Sequence, residues 1–331
     1  MFDYSLLRRR QIDPNNLQSL EYDVLVAAFN SSNRVREVFN NVSASRRIWL
    51  AHSDYAYEPD ELPTGEIHHF GEGLSAIEAW AGFFTETSGI DWTRARLVFD
   101  ITGMMRPHIV ALPLALHIRG VERADIIYTD PDSYSRGSET QFAYGGVLEV
   151  EQVAGFEGTH TPSLGEKETL VIGAGYDDEL VRRVAEDKRS ARHVVMLGLP
   201  SLQPHMYQES QIRLDRARES INRLTSASVV FAPADDPFMT AQVLSEEVRK
   251  IELRGEAENL YLSPVGVKTQ TLGFAWYYLC ERRDSPTSLI FPNSRLYSRE
   301  TSRGIARVHV FTLELDWLTA GGAGEERAAH R

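Results

Sequence analysis

The segment RLVFDITG at residues 96–103 is an apolar run that ends in a carboxylate, a hydroxyl and a glycine. The segment NLYLSPVG lies 163 positions later, at residues 259–266, and its last glycine, Gly266, aligns with Gly103. Short apolar runs that end in a turn before a helical segment are typical of strands in parallel sheets. The pair therefore indicates an internal duplication, the feature that decides the fold.

The duplication extends well beyond these two segments. Residues 66–151 align with residues 229–314 at the constant shift of 163 without a gap, and strand-like and helix-like runs coincide throughout. Upstream the shift is 146, and the difference of 17 is an insertion in the second half. The insertion contains YQESQIRLDRARESINRL at residues 207–224, which has the period and charge pattern of an amphipathic helix.

Each half begins with strand, helix, strand, continues with strand, helix, strand, helix, strand, and closes with a last strand. This alternation predicts an α/β fold of two tandem Rossmann-like lobes related by internal duplication, with mostly parallel sheets. The closing strands follow loops without a crossover helix, so we expect them to be antiparallel. The predicted domains are a first lobe at residues 1–153, a linker at 154–167, a second lobe at 168–318 with the inserted helix at 207–224, and a flexible tail at 319–331.

Composition limits the classes of binding partner and the compartment that we expect. The 331 residues include 35 Lys and Arg against 47 Asp and Glu, so the net charge of −12 disfavours extended nucleic acid. The chain has no apolar stretch of membrane-spanning length, so a membrane partner is not expected. Cys280 is the only cysteine, which rules out an intrachain disulfide framework. Together with the lack of an apolar secretion signal at the start of the chain, it predicts a cytoplasmic protein.

Ligands of open parallel sheets bind beyond the carboxyl ends of the strands. In the first half, FDITGMMRP places Asp100 at such an end, followed by Thr102, Gly103 and Arg106 at the start of a helix. These residues and the helix amides predict an anion site, with Asp100 as the candidate catalytic group. The alternative is structural: Thr102 caps the helix and Asp100 binds loop amides.

The second half carries the equivalent loop, LSPVGVKTQT. Its candidate ligand-binding residues are Ser263, Gly266, Lys268 and Thr269. Gly, Lys and Thr at this spacing are weakly similar to a phosphate loop, although the spaced glycines of that motif are missing. The alternative for Lys268 is a solvated lysine in the first turn of a helix.

No cofactor is predicted. IGAGYDDE at residues 172–179 places Asp178 where a dinucleotide fingerprint has its third glycine, and the acids would repel a pyrophosphate. Asp235 and Asp236, in FAPADDPF, are more typical of a helix cap, and they are the first choice as ligands if a divalent metal binds.

The tripeptide Tyr-Ser-Arg occurs in both halves, ending at Arg136 and Arg299. Both copies lie in the loop before the closing strand, so the duplication places the two arginines at equivalent corners. They are ligand-binding candidates as a symmetric clamp, but their retention in both halves favours a shared structural duty.

The sequence supports two functions. The first is binding of a nucleotide-like or other phosphorylated small ligand between the lobes, as a sensor or regulatory subunit. This plan resembles, at the level of fold, the fused nucleotide-sensing domains of bacterial signalling and defence systems. The second is a transferase or hydrolase that acts on a nucleotide or sugar phosphate, with Asp100 as acid or base. A protein partner or homo-oligomer remains compatible with the apolar run IVALPLALHI at residues 109–118.

Overall fold

The computed structural model describes residues 2–134, 143–160, 167–221, 228–297, 299 and 302–318. Two mixed sheets form the frame. The first sheet has the spatial order β4 (Glu66–Phe70), β3 (Ser43–His52), β2 (Glu21–Ala28), β5 (Leu97–Asp100), β6 (Arg123–Asp130), β15 (Arg307–Glu314) and β1 (Arg9–Ile12). The second has the order β11 (Val229–Ala232), β10 (Arg192–Gly198), β9 (Glu168–Gly173), β12 (Asn259–Pro264), β13 (Thr287–Tyr297) and β8 (Ala143–Gln152). Two short strands, β7 (Ser133–Tyr134) and β14 (Ser302–Arg303), pair with each other.

Helices connect the strands in both halves. They are α1 (Asn33–Asn41), α2 (Ala76–Glu86), α3 (Arg106–Ile118), α4 (Asp178–Asp187), α5 (Met206–Arg216), α6 (Pro237–Leu253) and α7 (Lys268–Tyr277), and a π-helical turn at Tyr278–Arg282 extends the last of these. None of the helices in the described part of the chain combines the length and apolar character that crossing a membrane requires.

The predicted duplication is confirmed by strand order. In each half the parallel strands lie in the Rossmann order 3-2-1-4-5, so β2 corresponds to β9, β5 to β12 and β6 to β13. The helices follow the same shift, with α3 and α7 in equivalent positions. The predicted inserted helix is present as α5, between β10 and β11, although it ends earlier than the sequence pattern suggested.

The closing strands are antiparallel, as predicted, but each pairs with the sheet of the other half. β8 from the first half pairs with β13, and β15 from the second half pairs with β6. Each sheet therefore takes strands from both sides of the predicted linker. The sequence pattern fits pairing with either half, because an antiparallel edge strand makes the same hydrogen-bond ladder on either sheet.

The first sheet is covered on both faces, because successive side chains of its strands point to opposite faces and are apolar on both. Val24, Val26 and Ala28 of β2 contribute to the larger buried cluster, which contains α2, α3 and the second lobe, whereas Leu25 and Ala27 face α1. The equivalent helices α3 and α7 pack directly against each other. The interface between the lobes is thus part of the main core, and it holds the strand ends of the two sheets in fixed relation.

Candidate functional site

A cleft opens where the carboxyl ends of β2, β5, β9 and β12 meet, which is the topological switch point of both sheets. We call it the interlobe cleft. Its charged lining residues are Arg34, Arg106 and Lys268. Its uncharged polar ones are Asn30, Tyr55, Thr102, Tyr128, Tyr176, Ser201, Ser210 and Gln270. The small or apolar ones are Met104, Met105, Ala174, Gly175, Gly198, Leu202, Met206, Ala234, Gly266 and Val267.

A glycine shapes each of the two turns at the base of the cleft. A Cβ at Gly103 would lie 2.0 Å from the carbonyl oxygen of Ala28, so no other residue fits without moving the end of β2. The equivalent Gly266 is less constrained, since its Cβ would lie 3.0 Å from the Gln270 side chain and 3.3 Å from the Ala174 carbonyl. The glycines let each turn lie close to the neighbouring strand end.

Two cations cross between the lobes in opposite directions. Arg106, at the start of α3, donates from Nε to the carbonyl oxygen of Gly266 at 2.8 Å. Lys268, at the start of α7, donates from Nζ to the carbonyl oxygen of Thr102 at 2.6 Å. Each cation thus binds the turn of the other half and also faces the cleft.

Arg34 is a third cation, which the sequence pattern did not single out. It lies in the first turn of α1, is only 6% exposed, and donates from Nη1 to the carbonyl oxygen of Thr129 on β6. Tyr55 and Gln270 also line the cleft without having been predicted. The Tyr55 hydroxyl donates to the Gly103 carbonyl at 2.9 Å. A signal for Arg34 was available, since it shares the buried helix face with Val35 and Val38.

Asp100 lies beneath the cleft and is fully buried. Its Oδ1 accepts the backbone N–H of Thr102 at 2.8 Å, which matches the structural alternative for this carboxylate, while Oδ2 has no hydrogen-bond partner among the described residues. Burial raises the pKa of Asp100 to about 6, and the Thr102 contacts and the Arg34 charge oppose that rise. A carboxyl with this pKa changes charge near neutral pH.

Lys268 is perturbed in the opposite sense. Burial, with the Arg34 and Arg106 charges added, lowers the pKa of the Lys268 amine well below its ordinary value, and the Asp100 carboxylate only partly compensates. The side chain is nevertheless partly exposed to the cleft rather than sealed in the core. An anion bound between the three cations would oppose this shift.

The other residues of the second half that the sequence predicted as ligand-binding do not line the cleft. Ser263 is fully buried, and its Oγ has no partner within the described part of the chain. Thr269 is also fully buried, and its Oγ1 donates to the carbonyl oxygen of Ala234. Neither residue lines the cleft, and Gly103 contributes to it through the turn it permits.

Arg299 binds the first lobe outside the cleft. Its guanidinium donates to the carbonyl oxygens of Tyr55 and Ala56, pairs with Glu61 at 2.9 Å and lies 4.6 Å from the ring centroid of Tyr57. Arg299 therefore holds the loop that carries Tyr55 into the cleft. Arg136, its equivalent, lies outside the described residues.

Asp235 and Asp236 have protein partners. Asp236 accepts the N–H groups of Phe238 and Met239, both at 3.0 Å, as the cap of α6, and also pairs with Arg9 at 2.8 Å. Asp235 pairs with Arg307 at 3.3 Å. Over the described ranges, no three His, Cys, Asp or Glu side chains are grouped as metal ligands would be.

Two histidines lie under the first-lobe side of the cleft. The rings of His52 and His108 are 4.6 Å apart, and neither ring nitrogen of His52 has a hydrogen-bond partner in the described structure. Burial lowers the pKa of His52 well below its usual value and lowers that of His108 to about 3. Both imidazoles are therefore neutral near pH 7 and add no charge to the site.

The comparisons with known proteins add little. No protein-family model matches the chain, and no curated protein matches it. Among solved structures, the precorrin-6A reductase CobK aligns over 84% of this chain and 90% of its own length, at 14% identity and a TM-score of 0.22. A ketoreductase, PlmKR1 of phoslactomycin biosynthesis in Streptomyces sp. HK803, aligns over 75% and 51%, at 12% identity and a TM-score of 0.20. Alignments this weak carry no argument, so the fold assignment rests on strand order and pairing.

Proposed function

We propose that the protein binds a nucleotide-like or other phosphorylated small ligand in the interlobe cleft, as a sensor or regulatory subunit. One observation carries the proposal: three cations line the cleft, and no Asp or Glu is among its described lining residues, in a chain whose net charge is −12. Such a local reversal of sign attracts an anion. Uncharged polar and small residues line the second-lobe side of the cleft.

The geometry of the three cations suits a phosphate. Arg34 and Arg106 are guanidiniums, whose planar donor fork matches phosphate oxygens, and Lys268 adds a point charge between the two lobes. The turns at Gly103 and Gly266 end at the starts of α3 and α7, where helix N-termini favour negative charge. A role in bacterial signalling or defence, in a cytoplasm that keeps Cys280 reduced, is part of the same proposal.

The alternative function is a transferase or hydrolase acting on a nucleotide or sugar phosphate. The observation that favours it is Asp100, whose unpartnered Oδ2 and pKa of about 6 suit a general acid or base. Incubation with a mixture of nucleotides separates the two functions when the melting temperature and product formation are measured on the same samples. A stabilised protein without product supports the sensor, and turnover supports the enzyme.

Titration calorimetry with inorganic phosphate and with a nucleoside monophosphate tests the anion site directly. Lys268→Gln keeps a donor for the Thr102 carbonyl but removes the charge, so we expect at least about a tenfold loss of affinity, equivalent to about 1.4 kcal/mol. Arg94→Gln is the matched control, since the Arg94 side chain is 87% exposed and does not line the cleft. Equal affinities for wild type and Lys268→Gln, or no binding of either anion to the wild type, would contradict the proposal.

A further inference from the structure

The lysines of this chain differ sharply in their surroundings. There are four, Lys167, Lys188, Lys250 and Lys268, against 35 basic residues in total. The first three pair with the carboxylates of Glu258, Asp187 and Glu247, at 2.5, 3.1 and 3.2 Å. Lys268 has no salt bridge to any described residue and binds a backbone carbonyl instead.

The position of Lys268 combines two properties that seldom occur together. Its side chain is partly exposed and lines the interlobe cleft. It is also held among like charges, with Arg34 and Arg106 as neighbours in the same lining. A lysine that is desolvated or adjacent to other cations is a nucleophile near neutral pH, whereas an ion-paired surface lysine is not.

We propose that Lys268 forms an imine with the carbonyl group of an aldehyde or ketone whose phosphate is held by Arg34 and Arg106 in the interlobe cleft. The substrate class, a phosphorylated carbonyl compound, rests on the proposed function for its anionic part. The covalent step goes beyond that function, because anion binding alone does not require an uncharged amine.

The step balances without a co-reactant. The Lys268 nitrogen attacks the carbonyl carbon, a C–N bond forms, the C=O π bond breaks, and one amine proton passes to the oxygen. The C–O bond of the resulting carbinolamine then breaks, and the oxygen leaves as water with the second amine proton while the C=N bond forms. Burial and the neighbouring guanidiniums supply the uncharged amine that the first step needs, since they lower the pKa of Lys268.

The nearby groups fit this chemistry. The Thr102 carbonyl accepts one N–H of the amine at 2.6 Å, which leaves the other tetrahedral positions of the nitrogen for its second hydrogen and its lone pair. Asp100 binds the N–H of the same residue at 2.8 Å, so a carboxyl able to exchange a proton near neutral pH lies on the other side of Thr102. The small residues Ala174, Gly175 and Gly198 line the second-lobe side of the cleft, where the carbon skeleton would lie.

The probe is pyridoxal 5′-phosphate, which carries both an aldehyde and a phosphate. The folded protein is incubated with the probe at low molar ratio, imines are fixed with borohydride, and the four lysines are compared by peptide mapping. We expect Lys268 to be modified at least about tenfold faster than Lys167, Lys188 or Lys250, a difference of about 1.4 kcal/mol in barrier. Excess inorganic phosphate slows the reaction at Lys268 alone, and pyridoxal, which lacks the phosphate, reacts there more slowly.

Variants and outcomes keep this inference separate from anion binding. Lys268→Gln removes the fast adduct, and Lys250→Gln, the matched control, retains it. Modification of the three ion-paired lysines at equal or greater rates than Lys268 overturns the imine proposal, while calorimetric phosphate binding by the same wild-type sample leaves the proposed function standing. The opposite result is a fast adduct at Lys268 in a protein that binds no phosphate and whose reaction phosphate does not slow. It would support the reactive amine and contradict the proposed anion site.

Discussion

The two halves of the molecule share a frame but differ in chemistry. At equivalent positions, Asp100 in the first half corresponds to Ser263 in the second, and Arg106 corresponds to Thr269. Lys268 is the exception in the second half, and its amine reaches across to the first-half turn. Arg34 and Arg106 thus come from the first half and Lys268 from the second, so the cations that line the cleft are unequally divided between the two copies. The two copies share strand order, and the side chains that line the cleft differ between them.

The two pairings made by the exchanged strands show the same asymmetry. We call the pairing of β6 with β15 the first seam and that of β13 with β8 the second seam. On β6, Asp130 is fully buried and its Oδ2 binds Arg307 at 2.7 Å and His309 at 3.0 Å, both on β15. The equivalent residue on β13, Asn293, donates to an exposed oxygen of Glu151 on β8. The first seam thus contains an ionic contact to a buried carboxylate, and the second contains a surface hydrogen bond.

The largest expected effect comes from breaking the first seam. Asp130→Ala removes the acceptor that Arg307 and the buried His309 share, while Arg307 keeps its contact with Asp235, so we expect a loss of about 3 kcal/mol in the free energy of unfolding, the lower end for a broken buried pair. Asn293→Ala, the equivalent change at the second seam, should cost less than about 1 kcal/mol. Urea denaturation of the two variants measures the difference. Similar losses in both would show that the seams are energetically equivalent despite their burial.

The second-largest effect concerns Asp100 and Ser263, which occupy equivalent positions in the two halves and are both fully buried. The folded-state pKa of Asp100 is raised from 3.8 to about 6, so the folded state binds the proton more tightly than the unfolded state does. The stability from this group is therefore complete below about pH 4 and is lost as the pH rises towards 6, by about 3 kcal/mol at most, at about 1.4 kcal/mol per pKa unit.

Asp100→Asn should remove that loss. The variant is expected to gain stability over the wild type progressively from about pH 4 to about pH 7, and to match it most closely in acid. Ser263→Ala is the control, because a hydroxyl does not titrate and its removal should shift the stability by the same amount at every pH. Parallel pH profiles for wild type and Asp100→Asn would show that Asp100 is not the carboxyl with the raised pKa.

Much of the frame could be predicted from the sequence, and the reason is local. Apolar runs followed by turn glycines specify the strands and the turns that follow them, whatever the rest of the chain does. The exchange of β8 and β15 could not be predicted, because their alternating patterns suit an antiparallel edge on either sheet. The helix face that Arg34 shares with Val35 and Val38 offered a signal for its burial, but its partner, the Thr129 carbonyl, lies 95 positions away and could not be predicted.

The smallest expected effect concerns the loop that holds Tyr55. Arg299 is partly exposed, and the contacts described for it go to the protein: two carbonyl oxygens, the Glu61 carboxylate and the Tyr57 ring. Arg299→Gln should therefore cost about 1 kcal/mol of stability, as losses of partly exposed contacts usually do, and change phosphate affinity by less than about twofold. Arg94→Gln, which changes an exposed ion pair of another loop, serves as the control for a purely surface substitution. Unchanged stability with lost phosphate binding would instead identify Arg299 as a ligand clamp and refute its structural duty.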